Sequence, residues 1–263
     1  YLDIMDHRKT EQLIDTLDKV EQNRKECYIR EFSIEHFHDS KVFETLIPKI
    51  CKIFREENEE LTGFENEEIL AEYQIYKTPG YVYMKGNVQI YSAGKQAADI
   101  SAFPEGIAVA VGSEEDTPDI CVDQTIDKVF TIENLTSFYR FKQEHSLVIY
   151  LGGYHNHSRR NLLMQIYQKL PDAQYYHFGD LDAGGFYILE HLKRKTGIPF
   201  QMFQMDIETL KKYEDYAKPL TENDKKRLMQ LEKMELPDEE RKLITYMLQK
   251  GIKLEQECIS ESQ

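Results

Sequence analysis

The chain has 263 residues, enough for one large domain or two modest ones. Hydrophobic residues make up 41% of it and charged residues 30%, a balance typical of globular rather than disordered proteins. It contains no apolar run of the roughly 18 residues that suggest a membrane-spanning helix, and the four scattered cysteines fit neither a zinc ribbon nor a disulfide framework. We therefore expect a reduced, cytoplasmic protein that does not enter a membrane. Because the chain opens on Tyr1 and not on Met, we also expect it to be part of a longer protein or to have lost a disordered start.

The formal net charge of -14 argues against a freestanding, high-affinity DNA-binding protein, since such proteins gain affinity by releasing counterions from phosphates. The charge is unevenly spread. Residues 105–127 contain seven acids and no Lys or Arg, whereas residues 139–170 contain five Lys or Arg and one acid. A chain of this kind that handles DNA needs metal ions at its site or a partner that delivers the DNA.

The first third of the chain predicts helices followed by a hairpin. Residues 6–25 and 42–54 have apolar side chains at helical spacing, and Pro48 predicts a kink or a break in the second helix. Residues 81–91 alternate in strand fashion around a central Gly86-Asn87 turn, which is typical of a β-hairpin. Helices followed by a short hairpin are the order of elements in a winged helix, although many α+β modules share it.

From residue 129 onwards, short apolar strands alternate with amphipathic helices. Strands are predicted at 129–132, 147–151, 175–178 and 199–203, and helices at 135–143, 158–170 and 184–195. This alternation predicts an α/β domain with a mostly parallel sheet covered by helices on both faces. Residues 206–259 are predicted to be helical.

Three acids fall at the carboxyl ends of predicted strands, where open α/β sheets bind ligands: Glu133, Asp180 and Asp182. Asp180 and Asp182 are two positions apart in an extended segment, so both carboxylates can point the same way, and the glycines after them permit a tight turn. Clustered carboxylates repel one another unless a cation joins them, and Mg²⁺ or Mn²⁺ suits such oxygen ligands. The competing interpretation is an ordinary Asp- and Gly-rich turn. An EF-hand is excluded because Gly184 and His191 occupy ligand positions of that loop, and no nucleotide-binding glycine motif occurs.

A Glu at the end of one strand and Asp-x-Asp at the end of another resemble the Toprim fold of topoisomerases, primases and certain nucleases. Further strings narrow the resemblance to the JetD family, the nuclease subunits of the Wadjet bacterial plasmid-defence system. These strings begin at Tyr28 (Tyr-Ile-Arg-Glu-Phe-Ser), His38 (His-Asp-Ser-Lys-Val-Phe-Glu), Thr131 (Thr-Ile-Glu-Asn-Leu-Thr), Tyr150 (Tyr-Leu-Gly-Gly), His177 (His-Phe-Gly-Asp-Leu-Asp-Ala-Gly-Gly) and Leu254 (Leu-Glu-Gln-Glu). They extend over nearly the whole chain, from residue 28 to residue 257.

The resemblance implies a smaller winged-helix-like α+β domain followed by a Toprim domain, related to the A subunit of topoisomerase VI. The corresponding division is a helical linker at 1–27, the winged-helix-like domain at 28–103, and the Toprim domain with its C-terminal helices at 104–263. It further implies a homodimer, an SMC-type ATPase complex as partner, and Mg²⁺-dependent (or Mn²⁺-dependent) cutting of closed circular double-stranded DNA. Such a partner would provide the affinity for DNA that an acidic chain lacks.

Several other residues have both a functional and a structural interpretation. Glu255 and Glu257 lie on a predicted helix, where positions i and i+2 do not share a face, so at most one joins the metal site easily. The resemblance suggests Glu257 as a second-metal ligand, and the alternative is a solvated helix face. His177 alternates with the two aspartates and is predicted to be a packed strand residue.

Four residues are candidates for contact with DNA. His155 follows a Gly-Gly loop, Arg159 and Arg160 open a helix beside the sheet edge, and Lys85 lies at the predicted hairpin tip. For each of them, the alternative is a side chain that is merely exposed to solvent.

Two other functions remain open on the residues alone. Topoisomerase VI and its relatives use a tyrosine of the winged-helix domain as a covalent nucleophile, and Tyr28, Tyr73 and Tyr76 lie in that region. A tyrosine transesterase would leave protein covalently attached to a DNA 5' end. A non-catalytic Toprim scaffold would only dock DNA or a partner.

Overall fold

The computed structural model describes residues 7–58, 61, 64–77, 80–92, 94–111, 119–152 and 157–259. Residues up to Gly80 form most of one compact unit, and residues from Tyr81 onwards form most of a second. Within the described part of the chain, no helix combines the length and the apolar composition needed to cross a membrane.

The first unit consists of helices with one short pair of strands. Its elements are α1 His7–Gln22, β1 Cys27–Tyr28, α2 Ile29–Phe37, α3 Val42–Glu57, α4 Asn66–Glu72 and β2 Ile75–Tyr76. The two strands pair in parallel. Helix α3 runs through Pro48 without a break, because its apolar face, with Phe43, Ile50 and Phe54, is buried and outweighs the loss of one backbone hydrogen bond.

The second unit is organised around a six-stranded sheet. Its strands are β3 Gly80–Lys85, β6 Ile107–Val111, β8 Lys128–Ile132, β9 Ser146–Tyr150, β10 Gln174–Phe178 and β11 Gln201–Met202, in the order β11-β10-β8-β9-β3-β6. The first four strands of that order run parallel to one another, and β3 is antiparallel to β9. The prediction of an α/β fold with a mostly parallel sheet is therefore confirmed.

Three helices connect the parallel strands: α5 Leu135–Arg140 joins β8 to β9, α6 His157–Lys169 joins β9 to β10, and α7 Ala183–Thr196 joins β10 to β11. The chain passes from β8 to one neighbour, β9, and then crosses to the other neighbour, β10. Strand β8 thus marks a change in direction of strand order, and ligands of α/β proteins bind beyond the carboxyl ends of strands at such a point.

The predicted hairpin at 81–91 is wrong. Strand β4 Val88–Ser92 lies between β5 Lys95–Asp99 and β7 Asp119–Val122 in a separate three-stranded sheet, whereas β3 lies between β9 and β6. Gly86 turns the chain from one sheet to the other with φ of 135°, and a Cβ atom there would be 2.5 Å from the carbonyl oxygen of Ser146. The glycine is therefore needed for a close crossing of two backbones and not for a two-residue turn.

The C-terminal region is less helical than predicted. It contains α8 Ile207–Lys212, α9 Glu222–Leu231 and α10 Asp238–Lys250, with the antiparallel strands β12 Lys218–Pro219 and β13 Ile252–Lys253. Gly251 ends α10 in the left-handed conformation with φ of 68°, which turns the last segment back as an extended chain. The predicted helix around Glu255 and Glu257 is therefore wrong, and only a 3₁₀ turn at Gln256–Cys258 follows.

Candidate functional site

Glu133 and Asp180 lie at the same edge of the six-stranded sheet. They follow the adjacent parallel strands β8 and β10, whose last residues, Ile132 and Phe178, are paired in register. The backbone N–H of Glu133 donates to the carbonyl of Phe178 at 3.0 Å, so the pairing of the two strands continues to the backbone of Glu133. A Cβ atom on Gly179 would lie 2.6 Å from Oε2 of Glu133, so this carboxylate lies against the glycine that precedes Asp180.

The C-terminal segment crosses the same sheet edge. Leu254 exchanges two backbone hydrogen bonds with Leu181, at 2.9 and 3.1 Å. The side chain of Gln256 is fully buried and joins both strand ends, because its Nε2 donates to the carbonyl of Phe178 and its Oε1 accepts from the backbone N–H of Asn134. Gln256 thereby fixes the positions of its neighbours Glu255 and Glu257 relative to Asp180.

The two acids flanking Gln256 have different surroundings. Oε1 of Glu257 accepts a 2.5 Å hydrogen bond from Nδ2 of Asn134, the residue after Glu133. Oε1 of Glu255 accepts from Nζ of Lys218 at 2.5 Å, in an exposed ion pair. Glu257 is therefore tied to the end of β8, whereas Glu255 is engaged by a surface lysine.

Asp182 caps helix α7. Its Oδ1 accepts a 2.9 Å hydrogen bond from the backbone N–H of Gly185, so the structural role of an Asp- and Gly-rich turn is present here. A cap of this kind fixes the carboxylate in one rotamer. The remaining oxygen, Oδ2, takes no part in the cap.

Asp180 experiences the charge of the neighbouring acids. The pKa of its carboxyl is raised to about 6: burial is the largest cause, the charges of Asp182, Glu257 and Glu255 also raise it, and the hydrogen bond from the Gln256 backbone N–H lowers it. The positive charge of a bound cation would favour the ionised carboxylate and so oppose the effects of burial and of the neighbouring acids on this pKa. The site is therefore acidic, and ionisation of the Asp180 carboxyl group is disfavoured relative to an exposed aspartate.

The donor set suits a hard cation held by few protein ligands. Among the described residues, no three His, Cys, Asp or Glu side chains are arranged as a complete metal site. Mg²⁺ is usually held by one or two carboxylates together with water molecules and substrate phosphates, so a complete protein cage is not required. Glu133 and Asp180 fit that pattern, with oxygen ligands at adjacent strand ends.

Comparison with known proteins agrees with the strings found in the sequence. The family model of the Wadjet protein JetD C-terminal region matches residues 114–263, which is more than half of the chain. The chain belongs to the JetD C-terminal family. A curated relative, the Wadjet protein JetD of Bacillus cereus (strain Q1), is 28% identical over 263 residues. That alignment covers 98% of this chain and 63% of the relative, so the chain spans less than two thirds of the relative's length.

The candidate DNA-contacting residues differ in how far they are exposed to solvent. Lys85 is 7% exposed, and its Nζ donates to the carbonyl of Phe138 at 2.6 Å, so it is not at a hairpin tip. Arg160 is also 7% exposed. Arg159 is partly exposed, but its guanidinium donates to the carbonyls of Leu151 and Tyr81. His155 lies outside the described residues.

Their different burial shows which of these residues could contact DNA. A side chain that contacts a phosphate must reach the surface, and neither Lys85 nor Arg160 does so in this conformation. Arg159 is the described candidate that fits best, at the carboxyl end of β9 beside Tyr150. Burial raises the pKa of Tyr150, and the charge of Arg159 partly opposes that rise.

The three candidate tyrosine nucleophiles all lie in the first unit. The pKa of Tyr73 is raised by burial and by Glu21 and Glu72, and its ring stacks on Phe54 at 4.7 Å. Tyr76 is 9% exposed, while the backbone N–H of Tyr28 bonds Glu31 at the start of α2. The raised pKa of Tyr73 and the burial of Tyr76 oppose formation of a phenolate nucleophile, so the surroundings of these two residues suit structural roles better.

Gln256 and Asn134 were not predicted as site residues, because only charged side chains were considered as metal ligands. Both are amide residues next to predicted acidic ligands. Both residues occur in the strings that carry the family resemblance, and this was the available signal. Tyr150 was also missed as a neighbour of the site, although burial and the charge of Glu133 both raise its pKa. His177 is fully buried, as predicted, and burial lowers its pKa to about 3, so its imidazole is neutral.

Proposed function

We propose that this chain is the DNA-cleaving part of a Wadjet-type plasmid-defence complex, with a Toprim domain that acts as a metal-dependent endonuclease. The observation that carries the proposal is the placement of Glu133 and Asp180 at adjacent ends of parallel strands, against Gly179. Membership of the JetD C-terminal family supports the same function. The name of the Bacillus cereus relative supports participation in a Wadjet system.

In this proposal, Glu133 and Asp180 hold Mg²⁺ or Mn²⁺, with Asp182 and Glu257 contributing directly or through water. Glu255 has a lesser role because Lys218 engages it. A bound divalent ion would polarise a phosphodiester and lower the pKa of a water molecule that attacks it. The protein's own contribution is to hold the acids in place: Gln256 and Asn134 fix the sheet edge, and the cap on α7 fixes Asp182.

The proposed partners are double-stranded DNA, an SMC-type ATPase complex and a second copy of the chain. The net charge of -14 supports dependence on a partner, since the chain lacks the excess of cations that nonspecific DNA affinity requires. For the winged-helix-like domain expected at 28–103, we propose only that the helices α2 to α4 form its helical part, because the strands expected as its hairpin at 81–91 belong to the second unit.

The test is cleavage of a closed circular plasmid by the full-length protein with its partner complex in Mg²⁺ or Mn²⁺. Asp180→Asn removes one charge at nearly constant volume, and Asp172→Asn makes the same change at an exposed turn outside the site. We expect the first substitution to reduce cutting by about 100-fold or more, as loss of a key electrostatic group does, and the second to leave it unchanged. Equal cutting by both variants would remove Asp180 from the site.

The DNA ends distinguish hydrolysis from transesterification. Hydrolysis leaves ends free of protein, whereas a tyrosine transesterase leaves protein bound to the 5' end after denaturation. We expect free ends, and we expect Tyr28→Phe, Tyr73→Phe and Tyr76→Phe to retain cleavage. If the wild-type complex assembles on DNA and never cuts it, the scaffold function replaces the nuclease.

A further inference from the structure

His177 lies on β10 beside the proposed metal site and has one ring nitrogen with an unusual environment. The side chain is fully buried, and its Nδ1 lies 3.0 Å from Oγ1 of Thr131 on the neighbouring strand β8. Its Nε2 is also buried and has no hydrogen-bond partner among the described residues. A buried imidazole nitrogen without a partner is costly, so this placement calls for an explanation.

Nε2 of His177 faces the same point as the proposed metal ligand Glu133. A Cβ atom on Gly179 would lie 2.8 Å from Nε2 of His177 and 2.6 Å from Oε2 of Glu133, which is itself buried. Two atoms this close to one point are near enough for a direct hydrogen bond after a small shift, or for a bridge through one water molecule. The absent side chain of Gly179 leaves the space between them open.

We propose that His177 is a positioning residue that holds the Glu133 carboxylate through a hydrogen bond from Nε2–H, direct or through one water molecule. This inference rests on the proposed metal-dependent function. The protonation pattern follows from the neighbours, because a nitrogen lone pair facing a carboxylate oxygen would be repelled, whereas an N–H is attracted. The proton is therefore on Nε2. The Thr131 hydroxyl has one proton and lies 3.2 Å from the carbonyl of Tyr176 and 3.0 Å from Nδ1, so in this arrangement it rotates to donate to Nδ1.

This arrangement has a consequence for metal binding. Carboxylates that bind metals are commonly fixed by a further hydrogen bond, and loss of that bond typically weakens metal affinity by about 10- to 100-fold. His177 itself is buried and touches neither DNA nor solvent. Its effect must therefore pass through Glu133, which distinguishes it from a metal ligand and from a residue that only fills the core.

Two substitutions separate the two ring nitrogens. His177→Asn places an amide near the position of Nδ1 only, where it can still bond Thr131, whereas His177→Gln extends an N–H towards the position of Nε2. Mn²⁺ affinity of the full-length protein is measured by titration calorimetry, alongside the Mn²⁺ concentration at half-maximal plasmid cleavage. We expect His177→Asn to weaken binding about 10-fold or more and His177→Gln to recover most of that loss.

A stability control keeps the test decisive. Thermal unfolding of both variants without metal gives the cost of removing a packed ring, which a merely structural role would impose on both. If His177→Asn does not fold, Thr131→Val, which is close in volume, removes the donor to Nδ1, and we expect it to weaken Mn²⁺ binding in the same direction.

The outcomes separate the two proposals. Wild-type affinity for Mn²⁺ in both His177 variants, or equal weakening in both, would overturn the positioning role while leaving the metal site intact. If the wild-type protein binds no Mn²⁺ and Asp180→Asn changes nothing, the metal-dependent function itself fails.

Discussion

The backbone N–H of Gln256 donates a 2.7 Å hydrogen bond to Oδ1 of Asp180, across 76 residues of sequence. The same glutamine bonds the carbonyl of Phe178 and the N–H of Asn134 through its side chain. One residue near the end of the chain therefore joins the two strand ends that carry Glu133 and Asp180. The geometry of the acidic site depends on this late segment as well as on the sheet.

We expect Gln256→Ala to destabilise the protein by about 2–4 kcal/mol, because it removes two buried hydrogen bonds and leaves a backbone carbonyl and an N–H without these partners. Urea unfolding of the two proteins at one pH measures the difference. Gln249→Ala, at an exposed position of α10, is the matched control and should change stability by less than about 0.5 kcal/mol. Equal, small effects of both substitutions would show that Gln256 is not a structural link.

Gly179→Ala tests the close approach at the site. The new methyl group would lie 2.6 Å from Oε2 of Glu133, so we expect the carboxylate to be displaced and plasmid cleavage to fall by at least about 10-fold. The overlap itself should cost about 1–3 kcal/mol of stability.

Gly197→Ala supplies a control that separates stability from cleavage. That residue has φ of 69° and open space around a Cβ atom, so alanine there costs about 1 kcal/mol through backbone strain, away from the acids. Cleavage should survive in this control. Full cleavage by the Gly179 variant would contradict the observed position of Glu133.

The parallel sheet could be predicted because its strands and helices follow one another with clear periodicity. Strands β8, β9 and β10 agree with the predicted segments to within a residue at either end, and Glu133 and Asp180 follow from where those strands stop. The pairing of β3 could not be predicted in the same way. Its alternation at 81–91 is equally compatible with a local hairpin, and its actual neighbour β9 is remote in sequence.

Glu255 and Glu257 were predicted as site candidates, but the conformation of this C-terminal segment could not be predicted, for a related reason. Residues 254–257 show no strong periodicity, and their conformation is set by hydrogen bonds to Leu181, Phe178 and Asn134, all distant in the sequence. Burial of Lys85 was equally hidden, because a lysine beside a glycine is usually a solvated turn residue, and only the fold brings the Phe138 carbonyl to it.

Lys85→Met distinguishes a buried structural lysine from a DNA contact. The substitution keeps the aliphatic stem but loses the hydrogen bond to Phe138 and the cation–π contact with its ring at 4.9 Å. We expect a loss of about 1–3 kcal/mol in the free energy of unfolding and no change in the salt dependence of DNA binding by the complex. A shallower salt dependence with unchanged stability would restore Lys85 as a phosphate contact.

The buried pair of Glu240 and Lys193 gives a prediction for stability against pH. The pKa of Glu240 is raised to about 7 because burial outweighs the opposing effect of Lys193, which bonds this carboxylate and also Glu190. A carboxyl whose pKa is higher in the folded than in the unfolded state stabilises the fold while it is protonated. That contribution is lost as pH rises from the unfolded value, about 4.3, through about 7.

We therefore expect the stability of the wild type relative to Glu240→Gln to fall by roughly 2 kcal/mol between pH 5 and pH 8, since glutamine does not titrate. Urea unfolding at several pH values measures this difference, in which the opposing effect of His177 is largely common to both proteins. Glu239→Gln, the exposed neighbour on α10, should show no such trend. A pH-independent difference for Glu240→Gln would mean that Glu240 is already ionised at pH 5 and that Lys193 fully offsets its burial.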